Sequence, residues 1–329
     1  MNCVIEVMDE RMEALRKWLS ECTPYGNAEL ESASADASFR RYFRIRKNQE
    51  SYVVMDAPPE KEPCEPFVRI GEWMKRAGIR VPNILEKNMD LGFMVLTDFG
   101  DLHYQEAIQG CQRDQLYDLA MSEILVFQTR LRSAADNLPV FDPAWQHKEL
   151  EIFRTWCLPD TSIESYHAQV DELVREVDQM PKNFMHRDFH CRNLLLPEDG
   201  RPAVIDFQGA MLGPVTYDLA SLLRDCYVDN SEKWISEKVL SFQEQLRLQG
   251  ALKHTVDAPI FMKWFDFSGL QRHLKCIGIF HRLTIRDGKS DYLKDIPRIL
   301  DYVDEVLNRY GELKAIRTLI KQARIMNFS

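Results

Sequence analysis

Two neighbouring segments, His186–Asn193 and Val204–Phe207, constrain the fold of this chain more than any other part of its sequence. They place Asp188, then Asn193 five residues later, then Asp206 thirteen residues beyond that. Apolar residues flank the first segment, and the second Asp follows a short apolar run. Apolar runs on either side of a polar segment predict a loop that returns through a β-hairpin.

The three side chains match the needs of phosphoryl transfer from ATP. That reaction uses one carboxylate to orient and deprotonate the attacking hydroxyl, and oxygen ligands to hold magnesium. Two alternatives remain at this point. The hairpin could be a coincidence in which the Asp residues only cap turns. Cys191, which lies beside His186 and His190, could instead form a thiol nucleophile or a metal site.

Bulk composition narrows the class of protein. The chain has 329 residues, 45% of them hydrophobic and 28% charged, as in ordinary soluble globular proteins. A net charge of −9 argues against a nucleic-acid partner. The eight cysteines form no C-x-x-C pair, and the sequence contains neither a signal-peptide pattern nor a long apolar run. We therefore expect a cytoplasmic protein without a membrane partner.

Hydrophobic periodicity predicts a small β-rich part followed by a larger helical part. The predicted strands cover residues 38–45, 51–55, 83–86 and 93–97, with helices over 8–22 and 65–77. Further helices are predicted over 113–133, 165–178, 216–225, 231–249, 259–282 and 298–323. The predicted class is α+β with two lobes: a nucleotide-binding lobe over residues 1–98 and a catalytic and substrate-binding lobe over 99–329. Thr97 and Phe99 would lie at a hinge between the lobes whose backbone could bind adenine. An ordinary strand-to-helix turn would have the same sequence pattern and is the alternative.

With these motifs in order, the chain resembles the aminoglycoside phosphotransferase and choline kinase-like family over nearly its whole length. The resemblance is tightest at residues 186–196, 204–209 and 213–220. The segments 38–44, 55–59, 271–275 and 286–289 resemble a narrower branch, the anomeric kinases of N-acetylmuramate and N-acetylglucosamine. The resemblance implies a two-lobed protein-kinase-like fold.

The family likeness also implies individual roles. Asp188 would be the catalytic base, and Asn193 and Asp206 would hold Mg²⁺ beside ATP. His186 and Arg187 would support the loop. Asp218 would anchor the loop from the next helix, or would simply be an acid stabilised at a helix N-terminus.

The chain departs from the kinase pattern in its first lobe. It has no G-x-G-x-x-G loop, and the small-residue turn over 32–38 takes that place, so Ser34, Ala35 and Ser38 are candidates for phosphate binding. The strand lysine that binds the ATP phosphates in kinases is also missing, and Asp56 stands near its expected position. Arg44 is the candidate substitute, and a solvated strand arginine is the alternative. These losses leave a nucleotide-binding pseudokinase as one reading.

The nature of the acceptor follows from spacing and charge. About twelve residues separate Asp206 from Asp218, too few for the segment that positions a peptide, so a small molecule is expected. Arg272, His273 and Lys275 are candidates for binding sugar hydroxyls, amide carbonyls or a carboxylate, and Glu149 is a fourth candidate. The basic run could equally be a solvated helix face.

Taken together, the sequence predicts an ATP- and magnesium-dependent kinase. The resemblance to the narrower branch implies that it phosphorylates the anomeric hydroxyl of N-acetylmuramate or N-acetylglucosamine, in cell-wall recycling. The alternatives are another small-alcohol or aminoglycoside phosphotransferase, or a pseudokinase. No obligate protein partner is indicated.

Overall fold

The computed structural model describes residues 2–26, 28–34 and 39–327. In chain order its helices and strands are α1 (Asn2–Cys22), β1 (Glu31–Ser34), β2 (Arg41–Lys47), β3 (Glu50–Asp56), α2 (Glu65–Arg76), β4 (Ile84–Asn88), β5 (Phe93–Thr97), α3 (Tyr104–Ala107), α4 (Arg113–Arg130), α5 (Arg132–Ala135), α6 (Pro143–Cys157), α7 (Ile163–Asp178), β6 (Lys182–Met185), β7 (Leu194–Leu195), β8 (Ala203–Val204), β9 (Met211–Pro214), α8 (Tyr217–Leu223), α9 (Glu232–Leu248), α10 (Ala258–Asp287), α11 (Ile296–Arg309) and α12 (Lys314–Asn327). Short 3₁₀ turns cover Cys191–Asn193, Ser290–Asp295 and Gly311–Leu313.

The chain divides into two compact units. Unit 1 combines Met1–Leu102 with Leu195–Gln208, and unit 2 combines His103–Leu194 with Gly209–Ser329. This division differs from the predicted one, because the hairpin of β7 and β8 returns to unit 1. There the Leu196 N–H donates to the Leu102 carbonyl and the Val204 N–H to the Arg80 carbonyl, each at 2.8 Å.

Unit 1 is built on an antiparallel sheet in the order β1-β2-β3-β5-β4. Alternation in these strands directs one set of side chains to the core, where Val54 and Val95 pack against Leu15 and Leu19 of α1. Phe67 of α2 stacks on Phe207 with ring centroids 4.9 Å apart. The stacked pair fixes the chain immediately after Asp206.

Unit 2 is mainly helical, with the antiparallel pair β6 and β9 as its sheet. Helix α10 is thirty residues long and largely buried. It begins at the N-cap Asp257, whose side chain accepts the Ile260 N–H, and it ends at Gly288, where φ is +67°. A left-handed C-cap glycine is a common helix terminator. The α+β class predicted from the sequence is confirmed.

Several element boundaries differ from the sequence prediction. Residues 31–34, expected partly as a turn, form an edge strand paired with β2. Helix α10 extends beyond the predicted 259–282. The single helix predicted over 298–323 is two helices, because Tyr310 takes an extended backbone and its hydroxyl donates to Asp266 Oδ2 at 2.8 Å. Among the described helices, none is long and apolar enough to cross a membrane.

Candidate active site

The loop that follows β6 is held through its backbone by one carboxylate. The His186 N–H donates to Asp218 Oδ2 at 2.7 Å, and the Arg187 N–H donates to Asp218 Oδ1 at 2.9 Å. Burial raises the pKa of Asp218 to about 7, although the two backbone N–H groups act in the opposite direction. Arg187 has a φ of +80°, a conformation that side chains other than glycine adopt rarely. Asp218 therefore anchors a strained turn directly before Asp188.

Asp188 lies between two cations of unit 2. Its Oδ1 is 3.4 Å from Lys275 Nζ, and its Oδ2 is 3.8 Å from Arg187 Nε. Burial acts to raise the pKa of Asp188, but Lys275 and Arg187 outweigh it and hold that pKa well below the usual range. The side chain is 32% exposed. Asp188 is therefore an ionised carboxylate with a face open to an acceptor.

Glu149 of α6 is the other acid of this site. It is 5% exposed, and its Oε1 lies 3.2 Å from Arg187 Nε and 3.6 Å from Lys275 Nζ. Gln271 Nε2 donates to Oε2 at 3.3 Å, and Trp145 Nε1 donates to Oε1 at 3.4 Å. The structure thus places Glu149 and Lys275 in one charge cluster with Asp188, and their contact with the acceptor stays a prediction.

The two predicted magnesium ligands lie in different units. In unit 2, Asn193 Nδ2 donates to the Asp188 carbonyl at 2.9 Å, so the amide is oriented by the catalytic loop. In unit 1, Asp206 is exposed, has a φ of +61°, and accepts from Gln208 Nε2 at 2.7 Å. Amide and carboxylate oxygens fit a hard cation that also uses phosphate oxygens. Within the described residues, no group of three or more His, Cys, Asp and Glu side chains is arranged to hold a metal.

The basic run on α10 does not form one surface. His273 donates from Nε2 to the Arg224 carbonyl at 2.9 Å, stacks on Tyr302, and is 1% exposed. Arg272 is 2% exposed, with Nη1 3.3 Å from Cys226 Sγ. Arg272 and His273 are successive helical residues and point in different directions, whereas Arg272 and Lys275, three residues apart, lie on one side of α10. The placement of His273 argues against its predicted acceptor-binding role. The charge of Arg272 helps to lower the pKa of Asp188, and its contact with the acceptor stays a prediction.

Arg44 in unit 1 is committed to carboxylates. Its Nε lies 2.6 Å from Asp98 Oδ2, and its Nη1 lies 2.8 Å from Asp101 Oδ2. These hydrogen bonds raise the pKa of Arg44 well above its ordinary value. A guanidinium neutralised by two acids is poorly placed to replace the phosphate-binding lysine. Asp56, the residue near the missing lysine, is fully buried and is paired with Arg11 and Arg41.

The other predicted nucleotide contacts are only partly described. Ser34 ends β1, while Ala35 and Ser38 lie outside the described residues. The Thr97 N–H donates to the Asn83 carbonyl at 3.0 Å, and the Thr97 hydroxyl accepts the Asn83 N–H at 2.9 Å. Thr97 therefore uses its N–H within the sheet rather than offering it to adenine.

The segment that directly follows Thr97 borders an open cleft of about 720 Å³ in unit 1. Phe99 lines it, with the Arg80 guanidinium carbon 6.0 Å from the centre of its ring. The apolar residues Ile79, Val81 and Pro197 also line the cleft, together with polar and charged side chains: Lys75, Asn83, Asp98, Glu198, Asp199 and Arg201.

The sequence reasoning missed a second anchor of the catalytic loop. The Cys191 N–H donates to Asp225 Oδ2 at 2.8 Å, and Asp225 Oδ1 accepts the Tyr227 N–H at 2.9 Å. No spacing in the sequence signals a contact across more than thirty residues. Cys191 itself is 2% exposed, and burial together with Asp225 raises the pKa of its thiol well above the ordinary value. That environment disfavours a thiolate nucleophile.

Comparison with known proteins identifies the class. The model of the phosphotransferase enzyme family matches residues 29–249, and the chain belongs to that family. Its fold is shared with solved kinases. The choline kinase LicA from Streptococcus pneumoniae aligns with a TM-score of 0.59 at 15% identity, over 91% of this chain and 99% of that one. An ADP-bound aminoglycoside phosphotransferase, APH(2'')-Ib, gives 0.58 at 15% identity, over 90% and 98%. The predicted two-lobed protein-kinase-like fold class is confirmed.

Two relatives of higher sequence identity share one name. The chain is 36% identical to an N-acetylmuramate/N-acetylglucosamine kinase of Pseudomonas aeruginosa, over 95% of this chain and 96% of that protein. It is also 36% identical to the protein of the same name from Neisseria meningitidis serogroup B, over 94% and 95%. The predicted membership of the aminoglycoside phosphotransferase-like family is therefore confirmed.

Proposed function

We propose that this chain is an ATP- and magnesium-dependent kinase that phosphorylates the anomeric hydroxyl of N-acetylmuramate and N-acetylglucosamine, in the cytoplasmic recycling of cell-wall sugars. The carrying observation is Asp188: an ionised, partly exposed carboxylate on a backbone-anchored loop, in a chain similar to these kinases over nearly its whole length. Scattered cysteines without a C-x-x-C pair favour the reducing setting.

In this reaction, Asp188 would orient the acceptor hydroxyl and receive its proton as the oxygen attacks the γ-phosphorus. Asn193 and Asp206 would hold Mg²⁺. When bound, that ion neutralises phosphate charge and aligns the phosphate groups. An anomeric hydroxyl is more acidic than an ordinary alcohol, so a carboxylate with a low pKa suits it better than it suits choline or an unactivated sugar hydroxyl.

The chemistry is tested by ADP release with ATP and Mg²⁺, using N-acetylmuramate, N-acetylglucosamine, choline and an aminoglycoside as acceptors. Asp188→Asn should lower kcat by about 10²- to 10⁴-fold while leaving the unfolding transition in place. Asp160→Asn, the same change at an exposed turn of unit 2, should keep full activity. Chelation of Mg²⁺ should stop turnover.

A separate experiment tests which hydroxyl of the sugar receives the phosphate. The 1-deoxy analogue of N-acetylglucosamine lacks only the anomeric hydroxyl, so we expect no ADP release with it. Phosphorus NMR of the product should show a phosphate on C1. Turnover of the 1-deoxy sugar would assign transfer to another hydroxyl, and turnover of choline or the aminoglycoside alone would replace the proposed acceptor.

A further inference from the structure

Four charged side chains of unit 2 form a closed ring of alternating sign. Lys275 Nζ lies 3.4 Å from Asp188 Oδ1 and 3.6 Å from Glu149 Oε1. Arg187 Nε lies 3.2 Å from Glu149 Oε1 and 3.8 Å from Asp188 Oδ2. Each oxygen of Asp188 therefore faces its own cation, and Glu149 links the two cations on the far side. This arrangement fixes the rotation of the Asp188 carboxylate.

The catalytic loop supplies only one of these two cations. Arg192 lies with its guanidinium carbon 3.5 Å from the ring centre of Tyr227, and its Nε donates to Gln105 Oε1 at 2.8 Å. The His190 ring packs on Tyr227 with ring centroids 5.4 Å apart, and its Nδ1 accepts the Arg192 N–H at 3.3 Å. The second cation, Lys275, comes from α10 and lies 87 residues after Asp188 in the sequence.

The burial of Lys275 is hard to explain by stability. Its side chain is 3% exposed, and taking an ammonium and a carboxylate out of water costs about as much as their attraction returns. An apolar side chain of similar length would fill the same space without that cost. So small an exposed surface also leaves little contact for a sugar, in contrast to the expectation that Lys275 binds the acceptor.

We propose that Lys275, held by Glu149, is a positioning residue for the catalytic base, which fixes the Asp188 carboxylate in the orientation that meets the acceptor hydroxyl. The inference rests on the proposed kinase reaction and on Asp188 as its base. Lys275 acts through Asp188, so its effect should depend on the presence of that carboxylate. An error of about 1 Å in the position of a reacting group can cost about 100-fold in rate.

A double-mutant cycle separates positioning from structure. Lys275→Met should lower kcat about 100-fold in the wild-type background, with the KM for the acceptor changed by less than about 3-fold. In the Asp188→Asn background, the same change should lower the residual kcat by less than about 3-fold, because the group that Lys275 orients is gone. Equal losses in both backgrounds would mean a general structural role and would overturn the inference. A raised KM with unchanged kcat would return Lys275 to acceptor binding.

Matched variants guard against misfolding. Lys263→Met makes the same change on the same helix, where Nζ contacts Glu176 and Glu312 at 3.1 and 3.2 Å, and it should leave kcat unchanged. Lys275→Arg keeps the positive charge and should restore a tenth or more of wild-type kcat. If Lys275→Met does not fold, the double variant Glu149→Gln/Lys275→Met also removes the buried acid that has lost one of its two cations, and it takes the place of Lys275→Met in the cycle.

The proposed substrate and the proposed role of Lys275 can fail separately. The cycle is run with whichever acceptor the wild type turns over, so turnover of choline alone would refute the sugar assignment and still decide on Lys275. A crystal structure of Lys275→Met gives an independent reading. We expect the Asp188 carboxylate to be rotated or to adopt two rotamers, and an unchanged Asp188 would contradict the inference.

Discussion

Gly278 sets the distance between α10 and α6, and its replacement tests that packing. A Cβ at position 278 would lie 2.5 Å from the Phe153 N atom and 2.7 Å from the Ile152 carbonyl carbon, both in the backbone of α6. Real Cβ contacts lie near 3.4–4 Å, so the two helices would have to separate by most of an ångström. Overpacking of this kind costs about 1–3 kcal/mol.

A second glycine of the same helix provides the matched control. At Gly269 a Cβ would meet Ala220 Cβ at 3.6 Å, which is an ordinary contact. Alanine is favoured over glycine inside a helix by about 1 kcal/mol, and both variants gain that amount. Gly269→Ala should therefore be neutral or more stable by up to about 1 kcal/mol, while Gly278→Ala should lose up to about 2 kcal/mol after the same gain.

Urea unfolding followed by far-UV circular dichroism measures both variants under one protocol. Gly278→Ala should also lower kcat, because separating α6 from α10 moves Glu149 away from Lys275, which it now approaches to 3.6 Å. The reasoning is refuted if Gly278→Ala is as stable as Gly269→Ala. A stability loss with unchanged kcat would keep the packing argument and reject its link to the site.

Two further outcomes follow from buried polar groups. Burial lowers the pKa of His273 to about 3, so the side chain stays neutral in the folded state but takes up a proton below about pH 6.5 in the unfolded state. This difference should lower the free energy of unfolding by about 2 kcal/mol between pH 7 and 5. Unfolding curves at the two pH values should show a smaller loss in His273→Gln. Asp218→Ala removes the acceptor of the His186 and Arg187 N–H groups, so hydrogen exchange at both amides should accelerate at least about tenfold, with a matching fall in kcat. The control Asp257→Ala removes only the N-cap of α10. It should lower the free energy of unfolding by about 1 kcal/mol and leave amide exchange and kcat unchanged.

Local pattern predicted much of the fold. The strand Phe93–Thr97 and the helix that starts at Glu65 agree with the periodicity of their apolar residues. The hairpin after Asn193 follows from two apolar runs around a turn. The helix break at Tyr310 was missed, since the hydroxyl of that residue binds Asp266, forty-four positions earlier. A one-dimensional pattern carries no sign of such a contact.

The position of Asp188 in a loop after a strand was predictable from chain order, and its role as the base stays a prediction. The partners of the candidate site residues were less predictable where they come from distant elements. Arg44 was read as a phosphate-binding residue because its strand neighbours the missing lysine. The order β2-β3-β5 instead allows it to reach Asp98, fifty-four residues later. His273 was grouped with Lys275 because both are basic, although the turn of a helix separates their directions. Tertiary contacts decided both cases: an ion pair with Asp98 for Arg44 and a hydrogen bond to the Arg224 carbonyl for His273.

One short helix holds the catalytic loop at both ends. Asp218, in the first turn of α8, accepts the N–H groups of His186 and Arg187 before the base. Asp225, two residues past the end of α8, accepts the Cys191 N–H after it. Both anchors act on the backbone, so they fix where the Asp188 Cα lies but not how its carboxylate turns. In the proposal above, the ring of Arg187, Glu149 and Lys275 determines that remaining rotation, with Lys275 supplied by α10. Asp188, the proposed base, would then be positioned in two separable steps. The effect of Lys275 should therefore vanish when the Asp188 carboxylate is removed, while that of Asp218 should persist in amide exchange.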